Sequence, residues 1–198
     1  PSLVGSEMCI ETVDYQNVIG WAKDCFGTPE NLNHIWPKAT AELLTKRRQR
    51  PSELVDTLVY RGRPLPDHQL TAASANDRQT HNWEKTGVTV VRRNLQYPPQ
   101  WPDVPPSEKG IDVALSVDLV RYAITQKIDA AIVFTSDTDI LPAIELVCGK
   151  TPCHVELACW QGAYRIGFSG NHQLPWCHFL SKGDFLAVQD CTDYTQIR

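Results

Sequence analysis

No apolar run in the 198-residue sequence approaches the roughly 18–20 residues of a membrane span, so no membrane partner is expected. Pro1–Glu7 has no basic stretch leading into an apolar one, so no secretory leader is read there, and a start at Pro1 reads as a trimmed chain. CxxC pairs are missing, which removes the commonest zinc spacing. Gly-x-Ser-x-Gly and Walker A loops are missing too, so serine-hydrolase and P-loop chemistry have no support. An excess of basic charge is also absent. The net charge is −4, from 19 Lys and Arg against 23 Asp and Glu, which excludes a basic nucleic-acid coat protein.

Of the acidic residues, 11 lie in residues 1–100 against 12 basic ones, and 12 lie in residues 101–198 against 7. The surplus of acid is therefore in the second half. The seven cysteines are odd in number, and the chain is long enough to build a core without a disulfide framework. They read as buried free thiols, and the expected location is cytoplasmic. A structural zinc would have to draw on Cys148, Cys153 and His154 or on Cys177 and His178, without the usual spacing.

The hydrophobic pattern alternates. Met8–Val13, Leu54–Tyr60, Val88–Val91, Ala130–Thr135, Val155–Cys159 and Leu174–Leu180 read as strands. A helix is expected after Asp14-Tyr-Gln-Asn17 and through Phe26, and others over Ala39–Arg48, His68–Lys85, Ile111–Gln126, Asp139–Cys148 and Ser181–Val188. Ala130–Thr135 has no polar alternation, so it is the expected central strand of a mainly parallel sheet covered on both faces. Asn94–Pro106 holds five prolines and reads as a loop bordering a site. The length fits a single domain over residues 1–198.

In open α/β sheets ligands bind beyond the carboxyl ends of the strands. The residues found there are acidic. Asp14 follows the first strand, and Asp137 and Asp139 follow the central one. Asp112 opens the helix before that strand, and Asp118 lies within it. Singly, each has a plainer use: Asp14 and Asp139 as helix caps, Asp112 at a helix amino terminus, Asp118 as a partner for Arg121. Six residues carry Asp118 roughly 240° around the helix from Asp112. As a set, converging carboxylates repel one another and raise each other's proton affinity. A divalent cation with oxygen ligands, Mg²⁺ or Mn²⁺, resolves that conflict.

The stretch Glu108-Lys-Gly-Ile-Asp-Val-Ala-Leu-Ser-Val-Asp-Leu-Val-Arg121, with Asp129-Ala-Ala-Ile-Val-Phe-Thr-Ser-Asp-Thr-Asp139 and the opening Val13-Asp-Tyr-Gln-Asn17, resembles the NYN domain of the PIN-like nuclease superfamily, in its LabA-like branch. The three motifs span residues 8–148 in the family's order, and residues 149–198 lie outside them as an extension packed on the core. The resemblance implies a Rossmann-like three-layer α/β/α sandwich and a metal-dependent endoribonuclease holding Mg²⁺ or Mn²⁺. Carried over, Asp14, Asp112, Asp137 and Asp139 match the metal-binding acids. Asp118 matches a helical position where PIN-like domains often carry a further catalytic acid. Asn17 and Ser136 are implied as supports, Asn17 orienting Asp14 or a water. The expected partner is single-stranded RNA, with a second copy of the chain as a candidate homodimer partner.

Lys109, Arg92 and Arg93 are the expected RNA contacts. Tyr97 and Trp101 are candidates for stacking on bases. Lys46–Arg50 and Arg61/Arg63 are the other basic clusters, the former more simply a solvated helix end. Two rival readings remain. A phosphatase with an Asp-x-Asp nucleophile would place that pair after its first strand and want Thr or Val where this chain has Leu141. A catalytically idle RNA-binding or protein-interaction module on the same fold would be expected to have lost acids that are all present here.

Overall fold

A computed structural model describes residues 5–29, 34–167 and 175–196. Six strands form one sheet: β1 (Glu7–Asp14), β2 (Ser52–Arg63), β3 (Thr89–Asn94), β4 (Ala130–Phe134), β5 (His154–Trp160) and β6 (Trp176–Leu180). All neighbouring pairs are parallel. Parallel strands need long crossovers, and six helices flank them: α1 (Tyr15–Phe26), α2 (Pro37–Arg47), α3 (Pro66–Glu84), α4 (Ile111–Ile124), α5 (Leu141–Lys150) and α6 (Lys182–Val188). The elements follow the expected alternation, and the α/β sandwich is the one implied by the resemblance. Of the strand expected at Leu174–Leu180, Leu174 lies outside the described residues.

Every residue of β4, Ala-Ala-Ile-Val-Phe, is buried, because both faces of the strand are covered. On one face Cys9, Val13, Ile132, Phe134 and Trp160 pack against α1, α2 and α6 through Val18, Ala22, Leu44 and Phe185. On the other, Ile10, Ala131, Val133 and Leu157 pack against α4 and α5 through Leu115, Leu119, Ile144 and Val147. These are the three layers. β5 and β6 extend the sheet beyond β4, so part of the segment 149–198 belongs to the same two cores.

Several boundaries shift from the sequence expectation, and one of the shifts bears on the site. The helix read as starting at Asp139 begins at Leu141, after a 3-10 turn over Thr138–Ile140. Pro142 has no N–H to donate and is tolerated only in a helix's first turn, so α5 starts there. Asp137 and Asp139 are left in an irregular turn at the sheet edge.

The strand order is β3-β2-β1-β4-β5-β6. The chain runs outward from β1 in one direction, then crosses back by α4 to β4 and runs outward in the other. β1 and β4 therefore flank the topological switch point, where the loops diverge and leave a crevice at the strands' carboxyl ends. The cluster Lys46–Arg50 lies elsewhere. Arg48 is buried against Glu7 at 2.8 Å and Glu156 at 3.0 Å, Arg47 pairs with Asp184, and Arg50 with Glu7. Glu7 begins β1, so these charges tie down the end of the sheet opposite the crevice. Among the described residues no helix is long and apolar enough to cross a membrane.

Candidate metal centre

Asp14 is the last residue of β1, Asp137 lies three residues beyond β4, and Asp112 sits in the first turn of α4. One carboxylate oxygen from each lies within 4.8 Å of the others. Asp14 occupies the N-cap position of α1 but makes no capping hydrogen bond. Its carboxylate instead accepts the Thr135 hydroxyl at 2.9 Å, and that hydroxyl oxygen accepts the Asp137 N–H at 3.0 Å. The Asn17 side-chain oxygen accepts the Ser136 N–H at 2.9 Å, and Asp137 accepts the Asp139 N–H at 3.0 Å. These bonds fasten the turn after β4 to the first turn of α1. Ser136 contributes here through its backbone, and Asn17 positions that backbone.

The electrostatics are those of unneutralised acids. Asp14 is 3% exposed, and burial pushes its carboxyl up to about 7. The Thr135 hydrogen bond opposes that rise, and the charges of Asp112 and Glu108 add to it. Asp112 is raised by burial and then by the neighbouring charges of Asp137 and Asp139. Glu108 is raised by burial and by Asp112, against the Gly62 N–H it accepts. Among the described residues, no Lys, Arg or His pairs with Asp14, Asp112 or Asp137. Oxygens on one Mg²⁺ lie at most about 4.2 Å apart, twice a bond of about 2.1 Å, so small side-chain rotations would let all three ligate one ion. An all-oxygen, acidic donor set of this kind suits a hard dication.

The other expected site residues fall less centrally. Asp139 is exposed at the rim, close enough to raise Asp112. Asp118 is a correction. It is not part of the cluster, because the Tyr60 hydroxyl donates to one of its oxygens at 3.0 Å and Arg121 to the other at 2.7 Å. Its phase on α4 turns it toward β2 and Arg121, so the plain ion-pair reading holds. Arg92 is also engaged: it pairs with Asp77 of α3, which Arg63 grips through two nitrogens at 2.8 and 2.7 Å. Arg93 and Lys109 are exposed and form no ion pair among the described residues. Arg93 packs over Gly110, at the head of α4 and two residues from Asp112. Tyr97 stacks on His68 at 4.1 Å and meets Trp101 edge-on at 5.1 Å, so these aromatics build the proline-rich loop around one another.

Thr135 and Glu108 are site residues that the sequence reading passed over. The signal for Thr135 was a hydroxyl as the first polar residue after a buried strand. Glu108 stood four residues before Asp112 in the same motif. Thr135→Val keeps the shape and deletes the hydroxyl that joins Asp14 to the Asp137 backbone. It is expected to weaken Mn²⁺ affinity roughly 10–100-fold, the usual effect of losing an outer-shell partner, with an unchanged circular dichroism spectrum. Calorimetric titration with Mn²⁺ measures this, and wild-type affinity would show that the hydroxyl is a packing feature only.

Three comparisons bear on these residues. Residues 13–163 match the family model of the NYN domain. No curated protein matches the sequence. The crystal structure of a protein of unknown function from Vibrio parahaemolyticus RIMD 2210633 is similar with a TM-score of 0.56, over 83% of this chain and 88% of that one. The two are 15% identical, and at that level the likeness is one of fold.

Proposed function

The chain belongs to the NYN domain family, within the PIN-like nuclease superfamily, and on that premise we propose that it is a metal-dependent ribonuclease cleaving single-stranded RNA. The observation that carries this reading is the meeting of Asp14, Asp112 and Asp137 at the switch point with no basic side chain among the described residues paired to them. Asp14, Asp112 and Asp137 would hold Mg²⁺ or Mn²⁺, with Asp139 adding negative charge at the rim. The ion would supply charge neutralisation at the phosphoryl oxygens and a more acidic water for attack. Thr135 holds the Asp14 carboxylate and, with Asn17, the backbone that carries Asp137. Lys109 and Arg93 draw the RNA backbone to the acidic mouth, which would otherwise repel it.

Hydrolysis forms a bond from the water oxygen to phosphorus and breaks the bond to the 3′ oxygen, which leaves with a proton. The products are therefore expected to carry 5′-phosphate and 3′-hydroxyl ends. A labelled single-stranded RNA incubated with Mn²⁺ should be cut to such products, and EDTA should stop the reaction. If Arg93 and Lys109, which form no ion pair among the described residues, are the phosphate contacts, the salt dependence of binding should be shallow, a log–log slope of about −1.4 for single strands. Binding without cleavage in Mg²⁺ and in Mn²⁺ would instead make the protein an idle RNA-binding member of its family.

A further inference from the structure

Arg61 lies near the end of β2, one residue past the Tyr60 that pairs with Asp14. It turns to the face of α1 and α3. It is 8% exposed, and its guanidinium sits 4.9 Å from the Tyr15 ring centroid and 5.1 Å from that of Trp83. Nη1 donates to the Gln79 side-chain oxygen at 2.6 Å, and Nε, which has no accessible surface to speak of, has no hydrogen-bond partner among the described residues. Among the described residues no carboxylate pairs with Arg61. The other basic residues of this end of β2 and β3 contrast with it: Arg63 and Arg92 share Asp77.

A buried guanidinium without a counter-ion is costly, and the aromatic faces and one amide recover only part of the lost hydration. The space beside it is open. Arg61, Pro64 and Asn76 line two neighbouring cavities. One, of about 410 Å³, also meets Gln16, Gly62 and Glu108. The other, of about 440 Å³, also meets His34, Gln79 and Tyr194. Either has room for on the order of ten water-sized groups. Glu108 links this space to the metal centre, because it acts electrostatically on Arg61 on one side and on Asp14 and Asp112 on the other. Its carboxylate is turned to the Gly62 N–H. In the second cavity, the Asp193 carboxylate accepts the Thr195 N–H and hydroxyl.

We propose that Arg61 forms the floor of an anion subsite beside the metal centre, which takes a phosphate group of the nucleotide chain. This rests on the ribonuclease reading for the choice of anion. The guanidinium charge suits phosphate oxygens, and Tyr15 and Trp83 hold the group in one orientation, so little freedom is lost on binding. Gln79 and Asn76 are already bonded, to Arg61 and to the Gly62 carbonyl, and fix the wall behind the guanidinium. The phosphate comes either from a chain end or from inside the strand, and in both cases it would fix the register of the RNA relative to the acids.

The test uses the full chain in EDTA, where binding is read without cleavage. The same short RNA with a 5′-phosphate and with a 5′-hydroxyl, and inorganic phosphate as competitor, are titrated by calorimetry. Arg61→Gln should weaken the phosphorylated RNA roughly 10–100-fold, the range for hydrogen bonds to a charged group. Gln16→Glu places a carboxylate on an exposed position of α1 lining the first cavity, where folding is not at stake, and should weaken it severalfold. If the 5′-hydroxyl RNA already binds as weakly as the variants do, the subsite takes a chain end. If both RNAs bind alike and both variants weaken them, it takes an internal phosphate. Unchanged affinity in Gln16→Glu and in any folded Arg61→Gln overturns the subsite, even where Mn²⁺ cleavage is intact. Loss of binding in the variants, with no cleavage in Mn²⁺ by the wild type, instead removes the nuclease reading and leaves the subsite standing.

Discussion

Asp137→Asn is expected to cut Mn²⁺-supported RNA cleavage about 10³-fold while leaving the fold intact. The size follows from what a held metal ion supplies, several kcal/mol of charge stabilisation in the transition state, each 1.36 kcal/mol being a factor of ten. The selectivity follows from geometry. Asp137 is half-buried, and its structural duty is to accept the Asp139 N–H, which an Asn oxygen accepts equally well. Only the charge is removed. The circular dichroism spectrum should therefore match the wild type, and RNA should still bind. Asp118→Asn is the internal control: its carboxylate faces Tyr60 and Arg121, so activity should stay within about threefold, as for most changes away from a site. Cleavage by Asp137→Asn within fivefold of wild type, or a larger loss in Asp118→Asn, would sink the assignment of the acids.

The parts of this site that were legible in the sequence are the local ones. A run of five apolar residues followed by Thr135-Ser-Asp-Thr-Asp139 reads as a buried strand ending in acid, and a parallel sheet then places those acids at a crevice. What could not be read depends on contacts between distant segments. Asp118 was carried over from the family resemblance although helix phase turns it away from Asp112, and neither reveals that Tyr60, 58 residues away, supplies it with a hydroxyl. Arg92 looked free beside Arg93 because Asp77, on α3, is brought across by the β2–α3–β3 crossover. Arg61 gave no sign of burial: its aromatic walls come from α1 and α3, and only the fold assembles them. Thr135 had a visible position but no visible partner, since its bond to Asp14 spans 121 residues.

Asp14→Asn is expected to move stability in two opposite directions. Without metal it should make the protein more stable at neutral pH. The Asp14 carboxyl has its folded value raised to about 7 from an ordinary 3.8, so the folded state favours the protonated form. Stability from this group is then complete below pH 3.8 and is lost as the pH climbs to about 7. The metal-free wild type should therefore melt at a progressively lower temperature between pH 5 and pH 8. An asparagine carries no such charge and should recover about 2 kcal/mol at pH 8, a discount on the full linkage value for relaxation and water access. The variant's decline with pH should be shallower but not flat, because Asp112 and Glu108 are raised as well. With Mn²⁺ the order reverses. A ligand at a hundred times its dissociation constant stabilises by about 2.7 kcal/mol, which for a chain of this size raises the melting temperature by about 5–10 °C. The wild type should show that rise and Asp14→Asn should lose most of it, despite its more stable metal-free form. A general packing role for Asp14 cannot give both signs, because it would lower stability with and without the ion. Parallel melting curves for the two proteins across pH, or an equal Mn²⁺ shift in both, would remove Asp14 from the metal centre.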